Sequence, residues 1–507
     1  MRRGFFIFSF LACALIIGLG FLNPKAYWAF IVIGPIVVQG MIDAFDRKHS
    51  IISNFPLFGR FRYVMEVLRP KIYQYFIESD TDGTPISRIF RSVVYQRAKQ
   101  DNSSTPFGTQ LDVYQPGYEW INHSLSPLPL NSIKVNDLRV QVGGQDCKKP
   151  YSASIFNISA MSYGALSKNA IEALNKGAKL GNFAHNTGEG GISPFHLKHG
   201  GDLIWQVGTG YFGCRDENGN FSEELFIQNA TLPSIKMIEI KLSQGAKPGH
   251  GGILPAAKNT PEIAKIRRVK PYTRVDSPSK HTAFDGPEGL LQFVKKLRDL
   301  SGGKPIGFKL CFGIPEEFED ICRAMIKLDI LPDYISIDGG EGGTGAAPLE
   351  FSNSVGMPLR DGLVFAVDLL NNYGLKNKIK VMVGGKILTG FEIIKYMALG
   401  ADLCYSARGM MLALGCIQAL VCNKNECPTG VATQDPQLMH GLNVEDKYKR
   451  IRNYHHSTIE SVAELLAAAG IRHTSELRRK HIWRRISQTE TKSYDQLFPA
   501  KSVLKAS

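Results

Sequence analysis

Ile379-Lys380-Val381-Met382-Val383-Gly384-Gly385 and Ala401-Asp402-Leu403-Cys404-Tyr405-Ser406-Ala407-Arg408-Gly409 are two short apolar runs, each ending in glycine or small polar residues. A strand that carries apolar side chains on both faces is buried on both, which is the habit of parallel sheets covered by helices. Three further runs precede them: Ser154-Ile155-Phe156-Asn157-Ile158-Ser159, Ile306-Gly307-Phe308-Lys309-Leu310 and Asp333-Tyr334-Ile335-Ser336-Ile337-Asp338. Helical stretches separate these runs from Ser152 to about Thr433. Strand–helix alternation of this length predicts an α/β fold, a (β/α)8 TIM barrel, with a doubly wound open sheet as the competing architecture. The number of strands decides between them.

In such a barrel the chemistry collects just after the strand ends. The bare backbone amides of Gly384 and Gly385, with Arg408 beside them, suit a phosphate cradle; the alternative is that the glycines only make tight turns. Lys309 ends an otherwise apolar strand, so its ammonium meets an anion or a polarised ring edge, or else snorkels to the rim. The loop Gln244-Gly245-Ala246-Lys247-Pro248-Gly249-His250-Gly251-Gly252 sets an amide and a cation three residues apart, which suits a ligand bearing a carboxylate. Glu189, within Asn186-Thr187-Gly188-Glu189-Gly190-Gly191, is an acid in a similarly open loop, where a solvated carboxylate is the plain reading. Gly340-Glu341-Gly342-Gly343-Thr344-Gly345 matches G-x-G-x-x-G, yet Ala346-Ala347-Pro348 does not open the helix on which a dinucleotide pyrophosphate rests.

Cys416, Cys422 and Cys427 lie in one short run closed by Pro428. Three close thiolates without a nearby fourth suggest a three-iron cluster, since iron–sulfur clusters are held by cysteines on such runs. Zinc competes, but a structural zinc takes four ligands, usually as two Cys-x2-Cys pairs that are missing here. An apolar helix burying inert thiols is a third reading.

With 507 residues, 44% of them hydrophobic, the chain builds a large core and more than one structural unit. Its nine cysteines are odd in number and scattered, which argues against a disulfide framework and for a reducing compartment. The formal charge of +14 is spread along the chain without a recognition motif, so an anionic membrane surface is favoured over nucleic acid as partner. Residues 4–22 are uncharged and led by Arg2 and Arg3; a second apolar stretch, 26–42, follows Asn23-Pro24-Lys25. Together they predict an N-terminal transmembrane helical hairpin, with Arg47 and Lys48 placing both ends, and the rest of the chain, on the cytoplasmic side of the cytoplasmic membrane. The expected organisation is a hairpin over 1–45, an irregular membrane-proximal segment over 46–150, the barrel over 151–435 and a basic helical C-terminal extension over 436–507.

Met161-Ser162-Tyr163-Gly164-Ala165-Leu166-Ser167, Asn186-Thr187-Gly188-Glu189-Gly190-Gly191, Gln244-Gly245-Ala246-Lys247-Pro248-Gly249, Asp338 with Gly342-Gly343-Thr344-Gly345-Ala346, and Cys427-Pro428-Thr429-Gly430-Val431-Ala432-Thr433-Gln434 occur in this order. Over about Ser154 to Gln434 the chain resembles the FMN-binding synthase domain of glutamate synthase. The resemblance implies a (β/α)8 barrel with FMN and a [3Fe-4S] cluster, in which ammonia and 2-oxoglutarate give 2-iminoglutarate and the reduced flavin converts it to glutamate. By position it implies that Cys416, Cys422 and Cys427 ligate the cluster and that Ala160, Met161 and Ser162 run beside the flavin ring. Lys309 faces the ring's pyrimidine edge, and Gly384, Gly385, Ala407, Arg408 and Gly409 hold its phosphate. Glu189, Gln244, Lys247 and Arg267 match the positions that hold substrate.

Two departures bear on the substrate. Where the family loop continues Pro-Gly-Glu-Gly-Gly-Gln, this chain reads Pro248-Gly249-His250-Gly251-Gly252-Ile253. A carboxylate and an amide are lost, which favours a related flavoenzyme acting on another 2-oxo or 2-amino acid, whereas the retained Glu189, Gln244, Lys247 and Arg267 favour glutamate formation from 2-oxoglutarate. A non-catalytic electron-transfer subunit is the third reading. No glutaminase or NAD(P)H domain is recognised, so ammonia is expected from outside and electrons from a partner, a ferredoxin or an NAD(P)H-oxidising subunit.

Overall fold

The computed structural model describes residues 1–101, 104–129 and 131–500. Two compact units divide the chain, Met1–Arg88 and Ile89–Ser507.

In the first unit, α1 (Arg2–Leu22) and α2 (Phe30–Ala44) are joined by the short 3-10 turn Pro24–Ala29. Asn23 opens that turn with its side chain accepting from Lys25 N, and Pro24 fills the position where an N–H has no partner. Arg2–Leu22 and Pro24–Ala44 are each long and apolar enough to cross a membrane. A five-residue helix, Ser50–Asn54, and then α3 (Gly59–Ile72) follow.

The second unit is built on a closed barrel of eight parallel strands: β1 (Phe156–Ile158), β2 (His185–Asn186), β3 (Leu203–Val207), β4 (Ile235–Lys241), β5 (Ile306–Cys311), β6 (Tyr334–Asp338), β7 (Lys380–Gly384) and β8 (Leu403–Ser406). They pair in chain order. β8 pairs with β1 through Cys404 opposite Phe156, which closes the cylinder and rules out an open doubly wound sheet. Inside, one buried acid on β4 ties four other strands to its own. Glu239 accepts from Asn186 Nδ2 (2.9 Å), Gln206 Nε2 (2.7 Å), Ser336 Oγ (2.6 Å) and Tyr405 Oη (3.3 Å), so every oxygen of a charge removed from water is satisfied.

The N-terminal mouth of the barrel is stopped by an antiparallel pair, Arg139–Val142 with Tyr151–Ser154, whose Val142, Tyr151 and Ala153 pack on Ile204, Met237, Tyr334 and Met382. The opposite mouth carries the strand-end loops. Outside β1 lies α4 (Lys168–Gly181), capped by the Ser167 side chain at one end and by Asn182 in the left-handed region at the other. Against it packs α5 (Val444–Ala468). Gly177 lets them approach: a Cβ there would stand 2.7 Å from Ile451 Cγ2. His455 of α5 stacks on Phe183 at 3.8 Å and contacts Ser154 Oγ and the Phe156 carbonyl, each at 3.0 Å.

The helix Arg88–Lys99 turns Val94 and Ala98 inward. Tyr95 Oη donates to the Cys416 carbonyl (2.7 Å), and Asn453 Nδ2 donates to the Ala98 carbonyl (3.3 Å). Near the C-terminus, Ile482–Arg485 pairs antiparallel with Glu119–Ile121 on one side and Thr491–Ser493 on the other.

Candidate functional site

Lys241 and Lys309 occupy the C-terminal ends of β4 and β5 and face each other in register. Lys241 Nζ lies 2.7 Å from Glu189 Oε1 and Lys309 Nζ 3.3 Å from Asp338 Oδ2. Asp338 Oδ2 also accepts from Gly245 N at 2.8 Å, tying the loop after β4 to the end of β6. That contact needs glycine, because a Cβ at Gly245 would stand 1.9 Å from the Gly339 carbonyl oxygen.

Glu189, Lys241, Lys247 and Arg267 form one buried charged cluster. Burial alone would raise the Glu189 carboxyl, but Lys241, Arg267 and Lys247 together hold it below the usual carboxylate range. Burial pushes the Lys247 ammonium down to about 8, with repulsion from Lys241 adding to it and Glu189 opposing. Burial likewise lowers Arg267 to about 10 against the pull of Glu189. Arg267 donates to the Tyr163 carbonyl (3.1 Å) and Ser162 Oγ (3.3 Å) and lies over the Phe212 ring, while its buried Nε has no partner among the described residues. Lys247 Nζ donates to the Ala346 carbonyl (2.9 Å). Gln244, in contrast, reaches Thr344 at 3.5 Å rather than the Glu189 cluster.

Beside Glu189 a cleft is lined by Thr209, Lys241, Ser243, His250, Gly252 and Ser279. Gly252 makes room for the acid, since a Cβ there would stand 2.1 Å from Glu189 Oε1. His250 packs edge-on against Phe351 at 5.5 Å. Ile253 sits in a short strand pair opposite Asp276.

On the far side of the barrel mouth, Gly384 ends β7 and Ala407 precedes a helix that begins at Arg408. Arg408 donates to the Glu341 carbonyl (2.8 Å), and burial lowers its pKa. Lys386 is lowered by burial and then by repulsion from Arg408. Two neighbouring cations beside glycine amides and a helix start are a donor set that fits a phosphate.

The cysteine loop lies against the Met161–Ser167 segment. Lys258 Nζ joins them, donating to the carbonyls of Ala432 (2.7 Å) and Ala165 (3.1 Å). Burial lowers Lys258 to about 8, opposed by Cys422 and Cys427. Cys427 is lowered in spite of burial by the Thr429 hydroxyl and the N–H groups of Ala432, Thr429 and Val431. Cys416 Sγ accepts from Gln418 N at 3.4 Å, and burial pushes it up to about 11. All three thiols are free, and no group of three or more His, Cys, Asp or Glu side chains stands in metal-holding geometry among the described residues. The donor set still suits soft iron: three thiols, backbone N–H donors to sulfur and one buried cation.

Lys241, Lys258, Lys386 and Glu239 escaped the sequence reading. Lys241 carried a usable signal, a cation ending the run Ile235-Lys236-Met237-Ile238-Glu239-Ile240-Lys241 just before the glycine loop. The others announce nothing until the fold brings them to their partners.

A family model described as the conserved region in glutamate synthase matches residues 122–472. The chain is 40% identical over 490 residues to the glutamate synthase large subunit-like protein YerD of Bacillus subtilis, covering 88% of this chain and 93% of that one. It is 35% identical over 322 residues to the archaeal glutamate synthase [NADPH] of Methanocaldococcus jannaschii, covering 63% and 60%. Against the glutamate synthase [NADPH] large chain of Bacillus subtilis it is 32% identical over 330 residues, 64% of this chain and 20% of that one. The chain therefore spans nearly all of YerD but only three fifths of the archaeal relative.

Proposed function

The chain belongs to the glutamate synthase family, and from that premise we propose that it is an FMN- and iron–sulfur-dependent oxidoreductase of the CH–NH2 class. The reaction is reductive amination of 2-oxoglutarate to glutamate, with ammonia supplied from outside the chain, free or from a partner, and electrons from a partner protein. The observation that carries this reading is the buried cluster of Lys241, Lys247 and Arg267 around Glu189 at the catalytic mouth of the barrel. Three cations around one acid leave an excess of positive charge in a desolvated place, which favours an anionic ligand.

Arg267 and Lys247 bind carboxylates, Arg267 as a rigid fork already anchored on Tyr163 and Lys247 as a point charge on the opposite loop. Glu189, kept ionised by Lys241, positions ammonia and accepts its proton. Lys309, held charged by Asp338, would meet the flavin ring, and Ala160, Met161 and Ser162 would run beside it. Gly384, Gly385, Ala407, Arg408, Gly409 and Lys386 hold the phosphate. Cys416, Cys422 and Cys427 hold the cluster, in which the Thr429, Val431 and Ala432 donors offset charge on sulfur. When bound, the cluster passes electrons singly and FMN converts them to hydride transfer. The N-terminal helices anchor the enzyme to the cytoplasmic membrane, barrel inside.

A second substrate is favoured by His250 in the cleft wall and by Ile253, neither of which supplies the carboxylate or amide of the usual loop. Anaerobic flavin reoxidation by a panel of 2-oxo acids with ammonium tests the reading. Glutamate formed from 2-oxoglutarate supports it. Reoxidation by another acid alone favours the second substrate, and a flavin indifferent to every acid defeats both.

A further inference from the structure

Helix α3 has an apolar stripe that is largely open: Phe61, Val64 and Ile72 are exposed, and Met65 and Leu68 are half-buried. At about 100° per residue, Phe61, Val64, Met65, Leu68 and Ile72 fall within an arc of roughly 100°. Arg60 and Lys71 flank one edge of the arc, and Arg62 and Arg69 flank the other. Phe61 is 63% exposed, and Phe76, in the π-helical continuation Tyr73–Ile77, is 85% exposed. An apolar stripe with cations at both borders is the pattern of a helix lying flat in a lipid interface, where arginine and lysine stems run along the stripe and their heads reach headgroups.

The start of this helix is fixed to the end of α2. Buried Asp43, near the last turn of α2, accepts from Arg60 Nε (2.8 Å), Leu57 N (3.0 Å) and Gln39 Nε2 (2.9 Å). Gly59 packs against the Ile51–Ile52 backbone so closely that a Cβ would stand 2.7 Å from both the Ile51 carbonyl oxygen and Ile52 Cα. A span that ends at the membrane boundary thus delivers α3 to that boundary. Arg60 is engaged by Asp43 and Arg62 by Glu66 (3.1 Å), leaving Arg69 and Lys71 without an acidic partner among the described residues.

We propose that Gly59–Ile77 is an in-plane membrane helix whose partner is an anionic phospholipid surface, with the Asp43–Arg60 pair setting its depth. This rests on α1 and α2 spanning the bilayer, and the experiment separates the two. The full chain, wild type and Phe61→Trp, is reconstituted in phosphatidylglycerol vesicles containing phosphatidylcholine brominated at shallow or deep chain positions. Tryptophan quenching is read as the difference between variant and wild type. Extra emission quenched more by shallow than by deep bromines is expected, and weaker shallow quenching when Arg69→Glu and Lys71→Glu are added. Phe76→Trp repeats the test should Phe61→Trp fold poorly. Native Trp28, between the two spans, is read through Trp28→Phe. Quenched Trp28 with unquenched Phe61→Trp emission overturns the in-plane helix while keeping the spans. Unquenched Trp28 with quenched Phe61→Trp emission keeps the helix and removes the spans. Blue-shifted emission that ignores bromine means that a protein covers the stripe, and overturns the proposal.

Discussion

Lys241 Nζ stands 2.7 Å from Glu189 Oε1, joining the end of β4 to the glycine loop after β2. The two side chains are only 8% and 14% exposed, so solvent screens the pair little. Breaking one side of such a pair costs more than the pair contributes. Lys241→Met should lower stability by about 3 kcal/mol, with Lys247 and Arg267 sparing Glu189 the full penalty. Urea unfolding in detergent measures it. The double variant Lys241→Met/Glu189→Gln should recover at least half of the loss, and an additive double variant would exclude direct coupling.

Lys247 binds an anion best while its ammonium is charged. Its pKa, lowered to about 8, means that it is protonated below that value and neutral above it. Affinity for 2-oxoglutarate, followed by the flavin spectrum, should therefore fall between pH 7 and pH 9. Lys247→Ala should weaken binding by about 2–5 kcal/mol and flatten that pH dependence. Ile253→Gln should improve 2-oxoglutarate use, because it returns an amide to a site that discriminates by polar contacts. A lower turnover in Ile253→Gln, with a wild type already fast, would argue that the loop is adapted to 2-oxoglutarate as it stands.

Acid should weaken the barrel before its carboxylates titrate. His196 and His455 are both lowered to about 3 by burial, against 6.5 when unfolded. The unfolded chain then binds more protons between pH 3 and 6.5, so stability falls as pH drops through that window, by about 1.4 kcal/mol per histidine per unit. Urea midpoints at pH 7 and pH 5 give the slope, and a midpoint that rises toward pH 5 contradicts it.

Cys422→Ser should abolish the low-temperature EPR signal of the oxidised cluster while leaving the flavin absorbance in place. Stoichiometric zinc with negligible iron after anaerobic preparation would reverse the metal assignment.

Truncation after Gln434 should leave an insoluble barrel. It removes α5, and with it Ile451 against Gly177 and His455 against Phe183. Soluble, flavin-loaded protein ending at Gln434 would show the helix to be dispensable.

The runs that read as strands did so because burial on both faces leaves few polar interruptions: β5 to β8 and β1 were all legible this way. β2 was not, since His185–Asn186 is too short to show a period and both residues are polar. The charges were harder. Lys309 and Glu189 stood out in apolar or glycine-rich surroundings, but their partners Asp338 and Lys241 come from other strands, a juxtaposition that only closure of the barrel creates. The pairing of Glu119–Ile121 with Ile482–Arg485 joins segments with the whole barrel between them, and no local pattern signals it.

That pairing also orders the making of the molecule. Glu119 is held by Lys395 (3.0 Å), Arg484 (2.8 Å) and Tyr494 (2.6 Å), so its set of partners is complete only once residues 484 and 494 have been made. During synthesis the eight strands can therefore close into a barrel while this seam is still open, and a product stalled or clipped before residue 482 would carry Glu119–Ile121 as an unpaired strand edge.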